Sequence, residues 1–228
     1  MSYFPAFFDL SQRACLVIGA GAVGRRKIQR LLHCHAQPLT VVEPYPDPDL
    51  VRELEGHTGV FLLQREFDPG DIQEAFLVVA STSDAQLNAF IGRLCREKEI
   101  LCNVVDEPQL CSLVWPSLVT RGDLGIAVTT SGASPALARR IRKHLEDEFG
   151  PEYALWLELL KMLRPGIIAR KGPQGDNAAV FRNLTQEDIY LAISKNDGPQ
   201  LLALLEERLP RDLHPFAREV LHELEFSL

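Results

Sequence analysis

Three places in this sequence hold residue types whose spacing could do chemistry. The first is Cys15 to Lys27, CLVIGAGAVGRRK, where an apolar run ends in Gly19, Gly21 and Gly24 and passes into a helical pattern. A strand–turn–helix of this kind holds a diphosphate. The first glycine allows the tight turn, the second lets the backbone approach the ligand, the third lets helix and strand pack closely, and free N–H groups at the helix start bind the anion. The second place is Asp106, in the phrase CNVVDEP at 102–108, directly after an apolar run. A partly desolvated carboxylate at the end of a strand can serve as a general base, and Asp is also a common turn residue; residue type alone leaves both readings open. The third is the hydroxyl-rich stretch Thr129 to Ser134, which leads into a helix start. Its N–H groups and hydroxyls could take carboxylates, with Arg139 and Arg140 in support, and plain N-capping accounts for Ser134 equally well.

The elements needed to position these residues are legible around them. After the glycines, Ile28, Leu31 and Leu32 have helical spacing, and Leu39 to Val42 is a short β-rich run ending in Glu43, 19 residues beyond Gly24. A carboxylate there accepts hydrogen bonds from ribose hydroxyls and repels a 2′-phosphate, which favours NAD over NADP. Pro44 and Pro46 are expected to bend the chain away from that edge. Val60 to Gln64 and Phe76 to Ala80 read as buried strands, and Ile100 to Val105 as a further strand. Asp84 to Lys98 reads as a helix with Leu87, Phe90, Ile91, Leu94 and Cys95 on one face. The fold class is therefore α/β: a Rossmann-type, doubly wound parallel sheet over residues 1–111. Ligands gather at the carboxyl ends of such strands, which places the 19–24 loop, Glu43, Ser81 to Asp84 and Asn103 to Pro108 along one rim.

From 112 to 150 the pattern changes. Leu113 to Thr120 and Leu124 to Thr130 are β-prone runs about Arg121, Gly122 and Asp123, a hairpin with the character of a dimerisation element, carrying the candidate substrate loop behind it. Ser134 then reads as an N-cap, Pro135 as the first helical residue and Gly150 as a stop. Residues 151–228 read as a small helical domain. Leu155, Leu159, Leu160 and Leu163 form one stripe, 166–177 is a Gly/Pro-containing loop, and helices follow over 184–194, 199–208 and 213–226.

Composition narrows the function classes. A chain of 228 residues, 46% hydrophobic and 24% charged, has room for one full domain and a smaller one. The net charge of −7 argues against a general nucleic-acid binder. An anionic ligand would need a local basic patch, for which Arg25, Arg26 and Lys27, and Arg139, Arg140, Arg142 and Lys143, are the candidates; each cluster reads equally as a solvated helix face. Five cysteines without framework spacing indicate a reducing, cytoplasmic setting, and Cys15, Cys95, Cys102 and Cys111 lie in or beside apolar segments as small core residues. His33, Cys34 and His35 are adjacent on a helix, so their side chains diverge and no metal site is expected. The N-terminus has no basic start or long apolar core and no membrane-length apolar run occurs, so secretion and membrane spanning are not expected.

With these motifs in view, the chain resembles the precorrin-2 dehydrogenase and sirohydrochlorin ferrochelatase family, the N-terminal half of siroheme synthases. The resemblance rests on FPAFFDLSQRACLVIGAGAVGRRK, CNVVDEP and WPSLVTRGDLGIAVTTSGASPALARRIRKHLE, in the family's order and spacing over residues 4–149. It implies NAD-dependent oxidation of precorrin-2 to sirohydrochlorin, in some members with ferrous iron insertion as well. Asp106 would be the main catalytic residue. Gly19, Gly21, Ala22, Val23 and Gly24, with Glu43 and Pro44, would hold NAD. Asn103, Thr130, Ser131, Gly132, Ser134, Arg139 and Arg140 would face the polycarboxylate tetrapyrrole, and a homodimer would form around the hairpin. Some relatives carry serine where this chain has Thr130. A non-catalytic NAD- or tetrapyrrole-binding regulator on the same fold is the alternative reading.

Overall fold

The computed structural model describes residues 3–170 and 174–227. By its internal contacts the chain divides into two compact units, Met1–Trp115 with Ser131–Ala133, and Pro116–Thr130 with Ser134–Leu228.

The first unit is a five-stranded parallel sheet of β1 (Cys15–Ile18), β2 (Leu39–Val42), β3 (Val60–Leu63), β4 (Leu77–Ala80) and β5 (Leu101–Val104), in the order β3-β2-β1-β4-β5. Its crossovers contain α1 (Ala22–His33), α2 (Pro48–Glu55) and α3 (Ala85–Glu97). Val17 pairs with Val41 on one side and Val79 on the other, so β1 is central and the winding direction reverses between β1 and β4. That reversal opens a crevice at the carboxyl ends of these two strands, where Gly19 and Ser81 lie. Every residue of β1 and β4 is buried, as expected of strands covered on both faces. The expectation of a buried strand at 60–64 needs correction. Among the described residues β3 pairs only with β2, and as an edge strand it leaves Phe61 54% exposed. The sequence reading also passed over α2, whose Asp47 accepts from the Asp49 N–H at 2.8 Å with Pro48 in the first turn, a readable N-terminal signal.

The second unit begins with an antiparallel hairpin, β6 (Ser117–Arg121) and β7 (Leu124–Val128), paired Arg121 to Leu124 so that Gly122 and Asp123 make the turn. Next comes α4 (Pro135–Glu148), capped by Ser134 Oγ accepting from the Leu137 N–H at 3.2 Å. Arg121 Nη2 donates to the Glu146 carbonyl at 3.0 Å, tying β6 to the last turn of α4, whose final carbonyls have no helical partner. Among the described residues five α-helices follow: α5 (Glu152–Ala169), α6 (Gln174–Asn183), α7 (Glu187–Ser194), α8 (Gly198–Arg208) and α9 (His214–Glu223). Their core includes Leu159, Leu163, Ile167, Leu184, Ile189, Leu201, Leu205, Ala217 and Leu221.

The loop expected at 166–177 is much shorter: α5 runs through Gly166 to Ala169 and α6 starts at Gln174, while residues 171–173 lie outside the described set. The stripe explains why. Ile167 continues Leu159 and Leu163 at helical spacing and is buried with them, which outweighs Pro165 in the helix. Gly166 is a packing glycine rather than a loop glycine, since an added Cβ would stand 2.7 Å from the Phe216 ring.

Candidate functional site

The glycine loop is shaped by contacts that leave no room for side chains at two of its three glycines. Gly19 has φ +87°, and a Cβ there would lie 2.6 Å from the Thr82 nitrogen. At Gly24 it would lie 2.1 Å from the Gly19 carbonyl oxygen and 2.8 Å from Ser81 Oγ. These two positions let strand, turn and helix close on one another. Gly21 differs, because a Cβ there would meet nothing within 4 Å. Packing within the chain does not require a glycine at Gly21, and the open space in front of it is where a ligand's phosphates would lie. Gly21 is also the N-cap of α1 and supplies no capping side chain, and the first turn carries no acidic residue. The first hydrogen bond of the helix is Arg25 N–H to the Gly21 carbonyl at 2.8 Å. The preceding N–H groups, at Ala22, Val23 and Gly24, are the ones a helix leaves for an anion. An open glycine cradle and a helix start without a capping side chain fit a dinucleotide diphosphate.

Glu43, at the end of β2, connects to this loop directly. Its Oε2 accepts from the Ala20 N–H at 2.8 Å and its Oε1 from the Tyr45 N–H at 3.1 Å. The carboxylate thus braces the loop and the turn through Pro44, and an ionised carboxylate still has acceptor capacity for a hydroxyl pair. On the far side, Ser81 Oγ donates to the Gly19 carbonyl at 2.7 Å.

Asp106 sits two residues beyond β5 with φ +61°, in the left-handed region that Asp tolerates better than most side chains. It does end the strand as a turn residue. It is exposed, which corrects the expectation of a partly desolvated carboxylate; any burial of this group is left to what binds over it. Asn103, expected along the rim, is 8% exposed and directs its amide at the segment returning past β5, with Nδ2 3.5 Å from the Leu113 carbonyl. Cys111 Sγ lies 3.2 Å from both the N and O of Val104, and burial pushes the Cys15 thiol up to about 11. Cys95 and Cys102 are buried as well. These are core and bracing positions.

The basic run Arg25–Lys27 is not a patch. Adjacent helical residues diverge, and the three go separate ways. Arg25 is paired with Glu53 of α2 at 2.9 Å, Arg26 is exposed, and the Lys27 ammonium lies 4.2 Å from the centre of the Trp115 ring. In the second unit, Arg142 is paired with Glu146, whereas Arg139 and Arg140 are exposed and form no ion pair among the described residues. Ahead of them the Ser134 N–H donates to Thr130 Oγ1 at 3.1 Å, and Ser131 and Gly132 have φ +52° and +85°. A Cβ at Gly132 would meet nothing within 4 Å.

Comparison with known proteins bears on this geometry. The family described as "Putative NAD(P)-binding" matches residues 6–117, and the sirohaem biosynthesis protein central family matches 121–148. The siroheme synthase of Thioalkalivibrio sulfidiphilus is 39% identical over 75% of this chain and 34% of its own length. That of Pseudomonas aeruginosa is 34% identical over 92% of this chain and 44% of its own length. The chain is homologous to part of these siroheme synthases. It spans between a third and a half of the length of these curated relatives. A solved structure titled SirC, precorrin-2 dehydrogenase, superposes with a TM-score of 0.74 over 90% of this chain and all of its own, at 23% identity, which is a likeness of fold.

The two matched stretches contain every candidate residue named above: the whole parallel sheet in the first, β7 and α4 in the second. Sequence reasoning nevertheless missed two residues at the site. Asn88, 4% exposed, lies on the stripe shared by Ile91 and Cys95 and bonds to Thr82, and a polar residue at a core position was the available signal. Lys27 was read only as part of a charge run. Burial lowers its ammonium to about 8, against 10.5 for a free lysine, with Arg30 and Arg26 adding to the effect and Cys111 opposing it. The unfolded chain then binds more protons between about pH 8 and 10.5, so this group makes stability rise with pH across that window. Lys27→Met is expected to be more stable than wild type at pH 7 by on the order of 1 kcal/mol, after discounting for the exposed part of the side chain. The advantage should shrink as pH climbs from 8 to 10.5, as read by urea unfolding at each pH; an advantage that does not vary with pH would remove the buried ammonium as its cause.

Proposed function

We propose that this chain oxidises precorrin-2 to sirohydrochlorin with NAD as acceptor. The observation that carries the reading is the open space at Gly21, the N-cap of a helix without a capping side chain, in a chain homologous to siroheme synthases. The oxidation removes two hydrogens from the tetrapyrrole, one as hydride from carbon and one as a proton. Bound NAD supplies the hydride acceptor at its nicotinamide. The N–H groups at Ala22, Val23 and Gly24 hold the diphosphate, and Gly19 and Gly21 give the backbone its approach. Glu43 binds the ribose hydroxyls with Pro44 beside it, and its charge repels a 2′-phosphate. Asp106 takes the proton. Thr130, Ser131, Gly132 and Ser134, with Arg139 and Arg140, bind the substrate's carboxylates, and Asn103 belongs to the same substrate-binding set. The hairpin β6–β7 joins two copies in a homodimer working in the cytoplasm. Among the described residues no helix is long and apolar enough to cross a membrane.

The test is to supply the purified chain with NAD and precorrin-2 and follow the chromophore together with NADH. One NADH per sirohydrochlorin is expected. Tight NADH and tetrapyrrole binding without turnover would make the protein a binding module instead. Adding ferrous iron to sirohydrochlorin, against the spontaneous rate, tests chelation in the same preparation.

Recognition of the ribose has its own check. Glu43→Gln keeps an oxygen for the Ala20 N–H and removes the charge. The preference for NAD over NADP is expected to fall about tenfold, because two unit charges ~4 Å apart near a surface repel by about 1–4 kcal/mol. An unchanged ratio of kcat/KM values for the two cofactors would take Glu43 out of recognition and leave it a loop brace.

A further inference from the structure

Asn88 projects from α3 into the first unit, and its amide is spent on one residue. Oδ1 accepts from the Thr82 N–H at 3.1 Å and from the Thr82 hydroxyl at 2.8 Å, while Nδ2 donates to the Thr82 carbonyl at 3.0 Å. Both backbone groups and the side chain of Thr82 are therefore held by a single buried amide. An amide buried to this degree is costly unless satisfied, and here satisfying it also fixes the loop after β4. The Asp84 N–H donates to Thr82 Oγ1 at 3.1 Å, and Asp84 in turn caps α3, accepting from the Gln86 and Leu87 N–H groups, so clamp and helix start are one hydrogen-bonded unit.

The other face of the same peptide forms the back wall of the glycine turn. The imaginary Cβ of Gly19 would lie 2.6 Å from the Thr82 nitrogen and 2.7 Å from the Ser81 carbonyl carbon and oxygen. The Ser81 N–H donates to the Ile18 carbonyl at 2.8 Å and Ser81 Oγ to the Gly19 carbonyl at 2.7 Å. Thr82 therefore lies directly behind the side-chain-free face of Gly19, and the Ser81 bonds tie the two segments together, so the placing of Thr82 bears on the Gly19 turn.

We infer that Asn88 is a positioning residue for the dinucleotide: through Thr82 and Ser81 it holds the Gly19 turn in the shape that receives the diphosphate. The inference rests on the dinucleotide reading above. It concerns a residue without ligand contact, so its mark is on cofactor affinity rather than on the chemical step.

The experiment compares wild type, Asn88→Asp and Ile91→Val by NADH fluorescence titration, thermal unfolding, and turnover at saturating NAD. Asn88→Asp has the same shape and keeps an acceptor for the Thr82 N–H, but sets an oxygen against the Thr82 carbonyl. Its Kd for NADH is expected to rise about tenfold, the scale of removing a supporting shell around a binding group, with kcat within about twofold of wild type. Ile91→Val weakens packing on the same buried stripe without touching Thr82, and its Kd is expected to stay at the wild-type value. Wild-type affinity in Asn88→Asp, or an equal loss in Ile91→Val, would overturn the inference. If wild type itself takes up no NADH, the dinucleotide reading falls and takes this inference with it, a result distinct from a variant that binds as wild type does.

Discussion

Asp106→Asn is expected to lower precorrin-2 turnover by about 10²–10⁴-fold, the usual contribution of a positioned proton acceptor, and to leave the Kd for NADH within about twofold of wild type. The choice of asparagine follows from the backbone. Position 106 has φ +61°, which Asn adopts at least as readily as Asp and alanine does not, so the substitution removes the charge without straining the turn. Asp106→Ala would mix loss of the carboxylate with a changed path for residues 105–108. Because the side chain is exposed and makes no side-chain hydrogen bond among the described residues, stability should not change measurably. Full turnover in Asp106→Asn would leave the residue with only its turn role, and the proton would need another acceptor.

What the sequence made legible here follows from how local each signal is. β1, β2 and the glycine loop are fixed by neighbouring residues: a short apolar run, glycines at set offsets, a carboxylate at the end of the next strand. The hairpin and the Ser134 cap are equally local. Sequence periodicity fails where the deciding partner is far along the chain. Phe61 looks like any other strand residue until β3 turns out to have one neighbour. Gly166 looks like a loop glycine until Phe216 closes on it, and Arg25 looks like an anion-binding cation until Glu53 takes it. The same applies at the site. Glu43 stands out as a candidate ribose ligand because it follows Gly24 by 19 residues at the end of a β-rich run, but its bond to the Ala20 N–H depends on how β2 and the loop lie beside each other. Asn88 is invisible as a clamp until Thr82 is placed beside it.

The glycines themselves separate folding from cofactor binding, through a pair of alanine substitutions three residues apart. Gly24→Ala places a Cβ 2.1 Å from the Gly19 carbonyl oxygen, and the obstacle is backbone that cannot rotate away. Either α1 lifts off β1 or the Gly19 turn opens. Overpacking of this kind costs about 1–3 kcal/mol or more, so Tm is expected to fall by several degrees, at roughly 2–4 °C per kcal/mol for a chain of this size. NADH binding is expected to be lost with it. Gly21→Ala puts its Cβ into open space, at φ −61°, where alanine is unstrained. The loss of a glycine N-cap costs at most about 1 kcal/mol, so the fold should hold. On the reading that the diphosphate fills this space, the added methyl obstructs it, and NADH affinity is expected to fall at least about tenfold, the equivalent of ~1.4 kcal/mol. Thermal unfolding and NADH titration on the same two proteins give the answer: Gly24→Ala should lose in both, Gly21→Ala in the titration alone. If Gly21→Ala bound NADH as wild type does, the diphosphate would have to lie elsewhere, and the start of α1 would be an uncapped helix end with no ligand to explain it.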